Sequence, residues 1–190
     1  MTRRRNHRAR SILAVLLASL GPAACTSLPD NAVQETLEEA TGTSLTRLAR
    51  PIELTTVEPR GPNADPFAYV APFETNRMGQ RGTYLWVAVP DERGAGGRPL
   101  LRIGAQDVAL GEPLDLRAAG LGAAPYARPA PWSVEFVFRL DDAAMRALVA
   151  DGDWVVSVRR DGADALAFAG RPTPADLLRR FLGSTGSAAD

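Results

Sequence analysis

The chain has 190 residues, with 22 basic side chains balanced by 22 acidic ones, and every basic one is arginine. Its one histidine, His7, and its one cysteine, Cys25, both fall in the first 25 residues. Nothing beyond them supports Ser-His-Asp or Cys-His nucleophilic catalysis, Schiff-base chemistry, a phosphate-loop lysine or an ordinary zinc site. Residues 1–24 hold five arginines and no acid, so the remaining 166 residues carry 17 arginines against 22 acids. That acidic balance suits a soluble surface and lacks the basic footprint of a nucleic-acid binder.

The chain opens with Arg3, Arg4, Arg5, Arg8 and Arg10, then an apolar run from Ile12 to Leu20, then small residues and Cys25. This order is that of an export signal. The run is shorter than the roughly 20 apolar residues that span a bilayer as a helix. Pro22-Ala23-Ala24-Cys25 resembles the lipobox of bacterial lipoproteins, with Pro22 standing where that family usually places leucine. The resemblance implies cleavage between Ala24 and Cys25 and lipid attachment at Cys25. Read without it, Ala23 and Ala24 also suit an ordinary A-x-A-like cleavage that leaves a free thiol, or an uncleaved anchor, which the short run disfavours. A single cysteine in an exported protein has no intramolecular partner, which favours modification. Two or three acyl chains would hold the mature protein on a membrane stably, each buried methylene contributing about 0.8 kcal/mol. The same resemblance reads Thr26, in place of Asp, as directing the protein to the outer membrane. Thr2-Arg3-Arg4-Arg5 is similar to the start of a twin-arginine signal, but Asn6 and His7 replace its bulky apolar residues, which favours ordinary export.

The organisation expected is a cleaved signal peptide over 1–24, a tether and short helix over 25–44, a β-rich domain over 45–182 and a frayed tail over 183–190. Asp30 or Asn31 can cap a helix running to Thr41, with Val33, Leu37 and Ala40 on one face and Gly42 as its stop. From Leu45 the period becomes two. Ile52, Leu54 and Thr56 alternate with Glu53, Thr55 and Val57 as a half-buried strand. Residues 59–66 read as loop. Phe67, Tyr69, Ala71 and Phe73 alternate next, and Pro72 places that strand at an edge or a bulge. After a turn over Asn76 to Gly82, Thr83 to Val89 is apolar on both faces, which predicts a central strand covered by a layer on each side.

Asp91 to Arg98 reads as a long hairpin loop; its glycines form no G-x-G-x-x-G and no helix follows to present amides to a phosphate. Leu100 to Ile103 and Val108 to Leu110 are short strands about a turn. Residues 111–131, rich in Ala, Gly and Pro, form a long segment without regular structure, anchored by Leu114, Leu116, Leu121 and Tyr126. Val134, Phe136, Phe138 and Leu140 face one way on the next strand, with Glu135 and Arg139 opposite. Asp141 or Asp142 caps a helix carrying Met145, Leu148 and Val149, ended by Gly152. Trp154, Val156 and Val158 make a strand. Asp161-Gly162 turns it, and Leu166 and Phe168 face inward on the next. Thr173, Pro174 and Asp176 start a last helix with Leu177, Leu178, Phe181 and Leu182 on its apolar face.

Seven or eight short strands with few helices predict a mainly β (α+β) chain, a single antiparallel β-sandwich or barrel-like domain with two or three short helices. Asp151/Asp153, Asp161/Asp164 and Asp91/Glu92 have the residue types of metal ligands or a glycosidase acid pair. Each pair sits beside glycine at a turn, where aspartate accepts backbone hydrogen bonds, and no EF-hand spacing is present. No catalytic, cofactor-binding or metal-binding residue is therefore assigned, and no cofactor. Trp86 and Trp154 lie in apolar strands and belong to the core, whereas Trp132, beside Pro129 and Pro131, is expected to be exposed. Arg159-Arg160 reads as a solvated strand end.

The function expected is that of a non-catalytic, membrane-anchored envelope lipoprotein on the periplasmic face of the outer membrane. Its acyl chains would hold the membrane, and its domain would bind or support a cell-envelope partner and no nucleic acid. A periplasmic small-ligand or peptide-binding module, using Tyr126, Trp132 and the 111–131 segment, is the alternative. A carboxylate hydrolase is a third.

Overall fold

The computed structural model describes residues 32–58, 67–90, 98–150, 152–160, 163–170 and 175–184. Among the described residues ten strands form one continuous sheet in which each pairing is antiparallel. In chain order they are β1 (Val33–Glu38), β2 (Thr43–Leu48), β3 (Ile52–Thr56), β4 (Phe67–Arg77), β5 (Gln80–Pro90), β6 (Arg98–Ile103), β7 (Gln106–Val108), β8 (Ser133–Arg139), β9 (Trp154–Arg160) and β10 (Ala163–Gly170). Helix α1 (Asp142–Leu148) follows β8, and α2 (Ala175–Ser184) closes the described chain. The mainly β character with few short helices is as the alternation predicts.

The two longest strands organise the sheet. β4 and β5 pair over nine residue pairs about the two-residue turn Met78-Gly79. Both turn residues have positive φ, 52° and 86°. That is the primed turn whose twist matches the right-handed twist of the strands it joins. The Asn76 side-chain carbonyl accepts from the Gly79 amide at 3.1 Å, which fixes the turn locally. β5 lies between β4 and β8, with Tyr84 to Val89 buried, so the doubly apolar segment is a central strand as expected.

β4 is also interior, which corrects the edge placement read from Pro72. Its second edge is shared by two strands: β3 pairs with Phe67–Val70 and β2 with Phe73–Asn76. Ala71 and Pro72 fall in the break between those two registers. A residue with no amide to donate is tolerated where the ladder is already interrupted. Beyond this fork the sheet continues as β3-β10-β9-β6-β7 on one branch and β2-β1 on the other.

The branch through β3 curls back, so that Leu54, Leu101, Val156, Val158 and Phe168 pack against Val70, Leu85, Val87 and Phe138. Helix α1 lies beside β7 and adds Ala144, Ala147 and Leu148 to this core. Its start is capped as predicted, Asp141 accepting from the Ala144 amide at 2.8 Å. Gly152, at φ 149°, lets the chain enter β9 against Gly104; a Cβ there would stand 2.6 Å from the Gly104 Cα. Leu178 of α2 joins the same core, and Phe181 packs with Leu48 where β1, β2 and β3 meet. The side chain of Leu177 lies outside the described residues, as do the cap at Thr173 and the tail over 185–190.

The helix expected over 31–41 is corrected: residues 33–38 are β1, paired with β2 through six residue pairs. The β-rich part therefore begins ahead of residue 45. Leu37, assigned to the apolar face of that helix, is 65% exposed. Gly42 does adopt positive φ, 66°, but at a hairpin turn and not at a helix end.

Candidate functional site

The opposite face of β4-β5-β8 carries Ala71, Phe73, Tyr84, Trp86, Ala88 and Val137, and it is covered by the segment 111–131. This strap is tied at both sides. The Leu114 amide donates to the Val137 carbonyl of β8 at 2.7 Å. At the other side the Thr43 hydroxyl, at the start of β2, donates to the Gly120 carbonyl at 2.8 Å. The Glu38 carboxylate, at the end of β1, accepts from the Gly122 amide at 2.9 and 3.0 Å, from Ala123 at 3.1 Å and from the Thr41 hydroxyl at 2.7 Å. Those donors, Thr41 foremost, hold the Glu38 carboxyl below its ordinary value against the opposing effect of burial. Between the ties runs a 3₁₀ turn, Leu116–Ala119, started by Asp115, whose carboxylate accepts from the Arg117 amide, and ended by Gly120 at φ 81°. Leu121 and Tyr126 are buried beneath it and Leu114 and Leu116 half-buried, so all four anchors read from the sequence are used.

Where the strap crosses the turn end of β4-β5 it leaves a cleft of about 500 Å³ lined by Arg77, Arg81, Arg117, Arg139, Thr75 and Tyr84, with Gln80, Gly82 and Ala118–Gly120 completing its walls. Strand register explains the meeting. Arg77 pairs with Gln80, Thr75 with Gly82 and Phe73 with Tyr84, which in turn faces Arg139 on β8. Alternation puts Thr75, Arg77, Gln80, Gly82, Tyr84 and Arg139 on one face of the sheet. Gly82 makes the hollow: the Tyr84 ring lies over it, in the space a Cβ would need, and stacks on Phe73 with centroids 5.2 Å apart. Arg117 arrives from the strap, held in place by the ties at Leu114 and Gly120. Among the described residues no carboxylate lines the cleft. Among the described residues, Arg77, Arg117 and Arg139 enter no ion pair.

Deeper under the strap three buried polar atoms lack a hydrogen-bond partner: Trp86 Nε1, Tyr126 Oη and one Glu135 carboxylate oxygen. The Tyr126 ring lies 5.0 Å from that of Trp86, with the Arg47 guanidinium 5.0 Å from its centre. Burial raises the Tyr126 hydroxyl pKa, opposed by Arg47 and by the Leu48 backbone, which it approaches without completing a hydrogen bond. Burial also raises the Glu135 carboxyl, opposed by Arg128 at 3.9 Å. A second hollow of about 580 Å³ lies outside β6 and β9 between Leu100, Leu110 and Val155, and its two charges, Arg102 and Asp107, are opposite in sign.

The sequence candidates that fall among the described residues do not line the cleft. Trp86 and Trp154 are fully buried, as expected, and Trp132 is 51% exposed. Tyr126 is inside the molecule, so it does not join Trp132 in a ligand groove. Asp153 is exposed at the entrance to β9, and its backbone carbonyl accepts from the Gly104 amide. Cys25, Asp91, Glu92, Asp151 and Asp161, and the side chains of Arg159, Arg160 and Asp164, lie outside the described residues. Among the described residues no group of three or more acidic, histidine or cysteine side chains is placed to hold a metal ion, and no helix is long and apolar enough to cross a membrane. Sequence reading missed the arginine cleft, since Arg77, Arg81, Arg117 and Arg139 share no local motif. Only Arg139 was legible, as an outward residue on its strand.

No protein-family model matches the chain, and neither curated proteins nor solved structures offer a match.

Proposed function

We propose that this chain is a non-catalytic, lipid-anchored protein of the bacterial outer membrane, tethered at Cys25, whose β-rich domain binds an anionic partner or ligand on the periplasmic face. The observation that carries the binding half is the cleft itself. Three arginines from separate parts of the chain, Arg77, Arg117 and Arg139, line it, and among the described residues none of the three enters an ion pair, on a domain whose overall balance is acidic. Such a concentration of one sign in a concave site attracts and holds the opposite one. The volume lies within the range of small-molecule sites, which favours a compact ligand, or one group of a larger partner, over a flat protein contact.

Anchoring is tested by intact mass and membrane fractionation of the native protein beside Cys25→Ser. The native form gains the mass of acyl chains and sediments with outer membrane, and the variant does neither. If both forms are soluble and cleaved at one position, the anchor is wrong and the domain is a free periplasmic binder. Crosslinking in cells tests the binding half: the native cleft captures a partner that an Arg117→Glu/Arg139→Glu variant loses. Appearance of a hydrolase activity abolished by substituting one carboxylate would overturn the non-catalytic assignment.

A further inference from the structure

The cleft's charge and shape narrow its ligand. The chain uses arginine for every cation, so placement carries more information than residue type. Here placement is specific. Arg77 is fixed by the primed turn beside it, Arg139 by its register opposite Tyr84, and Arg117 by the capped 3₁₀ turn of the strap. Like charges gathered at one cleft repel one another, and an anion bound among them relieves that repulsion. A single carboxylate carries one negative charge and presents one two-oxygen edge, which one bidentate guanidinium satisfies. A phosphomonoester carries about −1.5 to −2 at neutral pH and offers three terminal oxygens. Several arginines contributed by different elements suit that tetrahedral group, or a diphosphate, better than a planar carboxylate. A volume of about 500 Å³ exceeds a bare phosphate and leaves room beside the Tyr84 ring and Ala118 for organic substance.

Resting on the anion-binding reading above, we infer that the cleft recognises a phosphomonoester or diphosphate group, with Arg77, Arg117 and Arg139 as its direct donors and Tyr84 as the floor against which the attached organic part lies. Such a group can come from a soluble phosphorylated compound or from a phospholipid headgroup. The chemistry at the arginines is the same for both.

The test is calorimetric titration of the full-length Cys25→Ser protein, which removes the anchor as a source of membrane binding, with pyrophosphate and with citrate as a polycarboxylate of comparable charge. Pyrophosphate binds one to one and at least about tenfold tighter than citrate, the weight of one charge-assisted hydrogen bond. Arg117→Ala and Arg139→Ala each weaken it by about tenfold or more, whereas Arg146→Ala, at an exposed position of α1, leaves it unchanged. Circular dichroism confirms that each variant is folded; should Arg139→Ala fail that check, Arg117→Ala on the strap decides alone. Equal affinity for citrate and pyrophosphate overturns the phosphate assignment while the anion-binding reading stands. Saturable binding of neither overturns both. Pyrophosphate binding that survives in Arg117→Ala and Arg139→Ala places the site elsewhere and overturns the inference. Flotation with phosphatidylcholine vesicles containing phosphatidic acid then separates the sources. Given pyrophosphate binding, co-flotation lost in Arg117→Ala supports the headgroup, and no flotation supports the soluble compound.

Discussion

The two faces of β4-β5-β8 are closed in different ways. One is covered by strands and helices of the same chain: Leu54, Leu101, Trp154, Val156, Phe168 and Leu148 fill it. The other is covered by an irregular strap, tolerates the partnerless polar atoms of Trp86, Tyr126 and Glu135, and ends in the arginine cleft. Regular elements satisfy their own backbone groups and present apolar surface for packing. A strap must spend side chains on ties and caps, and that leaves its margins polar. The packed face supplies rigidity, and the strapped face supplies a place where charged groups stay accessible.

The sharpest test of that contrast compares truncations on either side of the sheet. Phe138→Ala, on the packed face, is expected to destabilise by about 3–5 kcal/mol, because strands and helices on all sides resist collapse into the cavity. Leu121→Ala, under the strap, is expected to fall at the lower end of the buried-leucine range, about 2–3 kcal/mol, since an irregular cover can settle. Urea denaturation of both measures this, and equal losses would mean that the strap is as rigid as the helices. On the strapped side, Glu38→Gln keeps one oxygen for the Gly122 and Ala123 amides but loses the second acceptor, which serves the Thr41 hydroxyl, and the charge, at about 1 kcal/mol for a partly exposed site.

The pH dependence of Glu38 follows from its depressed folded-state pKa. Its contribution is complete above the ordinary carboxylate value of 4.5 and is lost as pH falls through the depressed one, so wild type and Glu38→Gln converge in acid. Glu135 behaves in the opposite sense and gives the smallest effect. Burial raises its folded-state pKa, so the folded protein binds the proton more tightly than the unfolded chain does. Stability then declines as pH rises from the ordinary value through the raised one. Glu135→Gln is expected to remove that slope and to match or slightly exceed wild type at neutral pH, measured by thermal melts across pH 4 to 8. A variant that is clearly less stable at neutral pH would show that the Arg128 contact outweighs the burial.

Much of the fold was legible where one signal had one meaning. Apolar residues on both faces from Thr83 to Val89 admit little but a central strand, and Asp141 and Leu148 mark the start and the buried face of α1, whose cap is Val149 and not Gly152. The β1 segment shows the reverse. Val33, Leu37 and Ala40 have helical spacing and Gly42 the positive φ of a helix end, yet a hairpin turn demands that same φ. Pairing with β2 over six residues decided between them, a tertiary contact that local spacing does not encode. Pro72 was read correctly as an interruption and wrongly as an edge, because a fork in an interior strand offers the same missing partner.

By itself the sequence determined the antiparallel β character, the central place of β5, the burial of Trp86 and Trp154, and the absence of histidine and lysine from everything after residue 25. Only the tertiary structure decided the cleft. Arg77 and Arg81 come from a hairpin, Arg139 from a strand about sixty residues later and Arg117 from the strap between them. Their nearness is created by strand register and by the hydrogen bonds of Glu38, Thr43 and Leu114 that hold the strap in place. Alternation and capping are local and can be read along the chain; a site assembled from distant segments exists only once long-range pairing has brought those segments together.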